Sequence, residues 1–100
     1  MNHIYGTLGI AKAARKLISG DLLIDAIAQK RVNLVIVCED ASDRTKKNIQ
    51  NKCAHYLIPC HVYGTVAQMS AALSAHRVAV GIADQGFSKS ILNSLKEVKV

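Results

Sequence analysis

The chain of 100 residues has no tryptophan, one proline, six glycines and only four aromatic residues. So little glycine and proline excludes a collagen-like or low-complexity chain. The longest apolar run falls far short of the ~20 residues that a membrane-spanning helix requires. Charged residues make up 20 % of the chain and apolar residues 50 %, the reverse of the balance that keeps a chain disordered. A chain of this length buries roughly 60–70 % of the surface its unfolded form exposes, enough for one core without covalent staples. No linker or repeat interrupts it, so one domain over residues 1–100 is expected.

Acidic residues are also scarce, 7 against 13 lysines and arginines, for a net charge of +6. This excess favours an anionic partner, nucleic acid first. Residues 1–20 hold Lys12, Arg15 and Lys16 with no acid, and residues 41–60 hold Arg44, Lys46, Lys47 and Lys52 against Asp43 alone. A solvated helix face is the ordinary meaning of such a run; phosphate contact is the functional one. With so few aromatics, base stacking across a sheet surface is not expected. RNA would meet loops and helix ends.

His3 and Tyr5 interrupt the apolar core a signal peptide needs, and Lys12, Arg15 and Lys16 sit where its cleavage region would be. A cytoplasmic location is expected. Cys38, Cys53 and Cys60 each lie in apolar sequence, so buried, reduced thiols are expected rather than disulfides.

Two apolar, β-branched runs have the length of buried strands, Leu34–Cys38 and Val78–Ile82. His61–Tyr63 is a shorter candidate after Pro59, and Lys16–Ser19 a brief edge strand. Between them lie helical patterns. Ile49, Cys53, Tyr56 and Leu57 recur at helical spacing opposite Lys46, Lys47, Gln50 and Lys52, with Ser42 as N-cap. Thr65 and Gln68 form a capping box before the stripe Val66, Met69, Ala72 and Leu73. Phe87, Ile91 and Leu95 step by four, and Ile4–Ala14 and Leu22–Lys30 complete the helices. Strands separated by helices imply crossovers. The expected fold is α/β, a three-layer α/β/α sandwich on a small mixed, mostly four-stranded sheet.

Enzyme signatures are absent: no Gly-rich phosphate loop, no dinucleotide fingerprint and no nucleophile elbow. Glu39-Asp40 ends a central strand, where α/β folds place functional groups. The better reading of these carboxylates is that they favour the next helix dipole and cap the turn. Cys53-x-His55 and Cys60-His61 invite a zinc reading, but ligand pairs in structural zinc sites usually sit two to four residues apart. Core thiols and surface imidazoles are expected there, with no metal and no cofactor.

Leu8-Gly9-Ile10-Ala11, Lys16-Leu17-Ile18-Ser19-Gly20, Ala26-Ile27 and Leu34 through Ser42 resemble, in order and spacing, the bacterial YlxQ-type proteins. These belong to the kink-turn-binding ribosomal family, the L-seven-Ae-like group. The likeness continues through Thr45-Lys46-Lys47, Asn51-Lys52-Cys53, Tyr56, Ile58-Pro59, Gly64-Thr65 and Asp84 to Lys89. It implies an α/β/α sandwich and a noncatalytic role in binding structured RNA, ribosomal or kink-turn-like.

The resemblance also implies a site. The family meets a kinked RNA helix through a Gly-x-Asn-Glu-x-x-Lys motif at the start of its second helix. Ser19-Gly20 matches that motif cleanly. Asp21 falls at the Asn position, Leu22 at the Glu position and Asp25 at the Lys position. Leu22 offers no acceptor to a guanine edge, and Asp25 puts an anion where a cation meets phosphate. The loop before the last strand, Ala75-His76-Arg77, corresponds to a second RNA surface and keeps a cation. Arg15 stands where relatives tend to have a helix-ending Gly. The expected RNA-binding set is therefore Lys12, Arg15, Lys16, Ser19, Gly20, Asp21, Leu22, Asp25, Ala75, His76 and Arg77. The alternative is a protein–protein interaction module on the same fold, with a protein partner in a ribonucleoprotein.

Overall fold

The computed structural model describes residues 4–98, with side chains described through Lys96. Five helices and four strands alternate: α1 (Ile4–Ala13), β1 (Leu17–Ser19), α2 (Asp21–Ala28), β2 (Leu34–Val37), α3 (Asp43–Tyr56), β3 (Cys60–Val62), α4 (Val66–Leu73), β4 (Ala79–Ile82) and α5 (Gln85–Val98). The element order is the expected one. The boundaries move by a residue or two, so that Cys38, Val78 and Lys16 lie just outside their strands and Cys60, not His61, opens β3.

The sheet runs in the order β1-β4-β2-β3. β4 is antiparallel to both β1 and β2, while β2 and β3 are parallel. Two-residue alternation sends successive side chains of a strand to opposite faces. Leu34, Ile36 and Cys38 therefore join Val80 and Ile82 beneath Ile4, Leu8, Met69, Leu73 and Ile91 of α1, α4 and α5. Val35, Val37 and Ala79 pack instead against Leu23, Ile27, Ile49 and Cys53 of α2 and α3. Helices thus cover both faces, and β2 is buried along its whole length.

Local chemistry sets the helix ends. The Ser42 hydroxyl accepts the Thr45 N–H at 3.1 Å. Thr65 and Gln68 form the reciprocal box, each side chain accepting the other's backbone N–H at 3.1 and 3.2 Å. Leu57 departs from its expected place on the buried stripe of α3. It adopts the left-handed conformation at φ 60° and is 82 % exposed, because the helix stops at Tyr56. Ile58 packs back against the core in its stead.

Pairing Ser19 with Val80 and Val37 with both Ala79 and Val62 gathers one end of the sheet. Gly20 and the start of α2, the segment between α4 and β4, and the turn from β2 into α3 all emerge there. Among the described residues, no helix is long and apolar enough to cross a membrane.

Candidate nucleic-acid interface

Gly20 turns the chain from β1 into α2 with φ 67° and ψ −145°. A Cβ there would meet nothing within 4 Å, so the backbone, not crowding, requires glycine: this region of φ/ψ is essentially closed to other residues. No side chain caps α2. The Leu23 N–H donates to the Gly20 carbonyl at 3.1 Å, which leaves the Asp21 and Leu22 N–H groups of the first turn for an acceptor from outside the helix.

Opposite them, the turn between α4 and β4 is pinned to Ser70 of α4. Ser74 ends α4 in the left-handed conformation, and Ala75 N–H donates to the Ser70 carbonyl at 3.2 Å. The Arg77 N–H donates to Ser70 Oγ at 2.9 Å, and its guanidinium folds onto the His76 carbonyl at 2.7 Å. The Val78 carbonyl accepts the Cys38 N–H at 2.9 Å, which ties the turn to the end of β2.

A groove of about 730 Å³ lies between these features. Gly20, Leu23 and Ile24 form one wall, and Arg44, Thr45, Lys47, Asn48, Ile49 and Asn51 of α3 the other. His76, Arg77, Val78 and Ala79 close it, and no carboxylate lines it. A second, smaller cavity of about 150 Å³ is bordered by Lys12, Leu17, Ser19, Leu73, Arg77 and Val80. Arg77 borders both. The Lys12 ammonium donates to the Leu73 carbonyl, a cation on the last turn of α4, where the helix dipole favours one.

The fold thus assembles part of the expected set. Gly20, His76 and Arg77 meet at the groove, with Lys12 and Ser19 at the adjoining cavity. Ala75 lies half-buried in the turn without lining either cavity. Asp21, Leu22 and Asp25 are exposed on α2 outside the groove, Leu22 at 69 %. Arg15 and Lys16 lie at the far end of β1, where the Lys16 carbonyl accepts the Ala83 N–H beyond the end of β4. Arg44, Lys47, Asn48 and Asn51 were not in that set. Their signal was present, since residues spaced i, i+3, i+4 and i+7 share one helix face.

The other candidate chemistry has structural uses. Asp40 caps neither its own turn nor α3. Its carboxylate accepts the Val66 N–H, the first residue of α4, at 2.8 Å. The Glu39 carbonyl accepts from Lys46 Nζ at 2.8 Å. Cys38 and Cys53 are buried, but Cys60 is only half-buried because β3 is a sheet edge. Hydrogen bonding to Cys60, then burial, raises the Cys53 thiol, and the same bond lowers Cys60. Burial pushes Cys38 up to about 11. His55 is exposed and stands edge-on to Tyr56 at 4.7 Å, whereas His61 is half-buried in β3. Among the described residues no cluster of three His, Cys, Asp or Glu forms a metal site.

Comparison with known proteins joins these observations. Residues 2–92 match the ribosomal protein L7Ae/L30e/S12e/Gadd45 family. The RNA-binding protein YlxQ of Bacillus subtilis (strain 168) is 38 % identical over 90 residues, covering 88 % of this chain and 90 % of the relative. That of Enterococcus faecium is 36 % identical over 83 residues, covering 82 % and 81 %. In structure, a Bacillus halodurans C protein of unknown function superposes with a TM-score of 0.90 at 34 % identity, over 96 % of this chain and 99 % of that one. The Giardia lamblia 15.5kD RNA binding protein shares the fold, with a TM-score of 0.78 at 13 % identity over 97 % and 85 %. Matched in sequence and in fold along most of its length, the chain belongs to the ribosomal protein L7Ae/L30e/S12e/Gadd45 family.

Proposed function

We propose that this chain is a noncatalytic RNA-binding protein that acts as a single domain on structured RNA, ribosomal or kink-turn-like, in the bacterial cytoplasm. One observation carries the reading: the groove at the Gly20 and Arg77 end of the sheet is lined by Arg44, Lys47, His76 and Arg77 and by no carboxylate. In a chain of net charge +6, such a groove concentrates positive potential beside the uncapped N–H groups of α2. The names of the YlxQ relatives, RNA-binding proteins, support it.

The test is a titration against a kink-turn RNA and a matched regular helix at several salt concentrations. Binding should weaken with salt with a log–log slope of about −0.7 to −0.9 per phosphate neutralised. Absence of binding even in dilute buffer would sink the proposal. One observation favours the second reading, a protein-docking surface: Leu22, 69 % exposed, presents an apolar side chain where the family presents a base-reading acid. Crosslinking in cells separates the two by what is attached, RNA or protein.

A further inference from the structure

Cys53 and Cys60 meet beneath the end of α3. The helix stops at Tyr56, where the Leu57 backbone turns left-handed and the Ile58 N–H donates to the Cys53 carbonyl at 2.8 Å. Such a helix end folds the chain back along its own last turn, and β3 then begins at Cys60 beside β2. Cys60 pairs with Val35, and residues side by side in a sheet share a face. Val35 packs with Ile49 and Cys53 of α3. The Cys60 side chain therefore points at the same helix, and its thiol is hydrogen-bonded to that of Cys53.

The two thiols are not equivalent. Cys53 is 1 % exposed, inside the core between α3 and the sheet. Cys60 is half-buried on an edge strand, where a small solute reaches it. The shared hydrogen bond lowers the Cys60 thiol and raises Cys53, so the negative charge belongs on the sulfur nearer solvent. A thiolate with a second thiol already against it is the arrangement of an oxidisable cysteine and its resolving partner. Cys38 meets no other thiol among the described residues. Its sulfur lies 3.7 Å from Met69 Sδ and 3.9 Å from the Arg77 carbonyl, on the opposite face of the sheet.

We propose that Cys60 and Cys53 form a modification site for hydrogen peroxide and close reversibly into a disulfide. The Cys60 thiolate attacks one peroxide oxygen and the O–O bond breaks. The departing hydroxide takes up a proton as water, and Cys60 is left as a sulfenic acid. The Cys53 sulfur then attacks the Cys60 sulfur and the S–O bond breaks. The oxygen leaves as a second water, carrying the Cys53 proton. In sum, two thiols and one peroxide give one disulfide and two waters, and two electrons pass from sulfur to oxygen. The bridge spans the Leu57-Ile58-Pro59 turn and ties the last turn of α3 to the edge strand. A dithiol reductant reopens it by exchange.

The experiment exposes the folded full chain to hydrogen peroxide at neutral pH, alkylates the remaining thiols in urea, and reads the intact mass and the peptide map. The wild type should lose two hydrogen atoms, with the bridge mapped to Cys53 and Cys60 and with Cys38 alkylated. Dithiothreitol should restore all three thiols. Cys38→Ala should form the same bridge. Cys53→Ala should stop at the sulfenic acid, captured by dimedone on Cys60, and Cys60→Ser should keep both of its thiols. The wild-type map decides even where Cys53→Ala fails to fold. Three free thiols after exposure, a bridge to Cys38 or between two chains, or oxygen added to Cys60 with the Cys53 thiol left free would each overturn the proposal.

Discussion

The Asp40 carboxylate accepts the Val66 N–H at 2.8 Å across 26 positions of sequence, so the end of the central strand caps a helix on the opposite side of the chain's next crossover. α4 then has two oxygen caps, Asp40 on its first residue and Thr65 on Gln68. Asp40→Ala should cost about 1 kcal/mol, the usual value of one such cap, measured by urea denaturation. Asp40→Asn keeps an acceptor and should cost less. If both variants match the wild type, Thr65 alone suffices.

Arg15 and Leu57 occupy left-handed backbone at φ 61° and 60°, and both are exposed. A side chain there costs roughly 1–2 kcal/mol against the following carbonyl, partly offset because glycine enlarges the unfolded ensemble. Arg15→Gly and Leu57→Gly should each stabilise by about 0.5 kcal/mol, a rise in Tm of about 2–4 °C for a domain of this size. Leu57→Gly also removes an apolar side chain that is 82 % exposed. A fall in Tm for either variant would contradict this account.

Gly81 has an ordinary strand backbone but no room. A Cβ there would lie 2.7 Å from Leu23 Cδ1 and 2.8 Å from Val32 Cγ1. Glycine lets α2 sit close on the sheet, and Leu23 is also part of the groove wall. Gly81→Ala should destabilise by about 1–3 kcal/mol, the ordinary cost of overpacking, and weaken RNA binding by displacing α2. Gly20→Ala, which meets no atoms, should instead suffer from backbone strain alone. Thermal denaturation of both variants checks the ranking.

The thiols should behave unequally. Cys60 is half-buried and lowered by its bond to Cys53, whereas Cys38 is fully buried and raised to about 11. Iodoacetamide at neutral pH should modify Cys60 first, since the thiolate is the nucleophile. Cys38 carries its proton more tightly folded than unfolded, so the folded state binds more protons between about pH 9 and 11. Stability from this group is full below pH 9 and is lost as pH rises through 11. Tyr5, raised to about 12 by burial and then by Tyr63, extends the loss upward. Cys38→Ala should flatten the lower part of the profile, read as Tm against pH.

Whatever depended on neighbours in sequence was legible there. The alternation of Leu34, Ile36 and Cys38 with Val35 and Val37 announces a strand covered on both faces, and the Ser42 and Thr65–Gln68 caps are patterns of four residues. What depended on long-range pairing was not. Nothing local says that β4 inserts antiparallel between β1 and β2, yet that insertion brings Arg77 to Gly20 and leaves Lys16 beside Ala83. Asp40 likewise finds Val66 only through the fold. The groove face of α3 is written at helical spacing, but the sequence alone leaves its charge run open between a solvated face and phosphate contact, because its partner wall comes from α2, two elements earlier.

The start of α2 offers a separate test of how the family's motif has changed here. Leu22 is 69 % exposed and Asp25 is exposed on the same helix, so neither is held by packing and both accept substitution. Leu22→Glu, Asp25→Lys would place a base-edge acceptor and a phosphate-binding cation where the resemblance expects them. Stability should change by no more than about 0.5 kcal/mol, as at other exposed sites. Asp25→Lys alone reverses a charge beside the sheet end, so it should improve binding to kinked and straight RNA alike. Leu22→Glu should add discrimination of about 1–3 kcal/mol for the kinked RNA, the scale of a good base contact. The double variant should show both effects, close to additively, because each residue faces a different part of the nucleotide. A wild type that already prefers the kinked RNA as strongly as the double variant would mean that Asp21, Leu22 and Asp25 do not occupy the motif's positions.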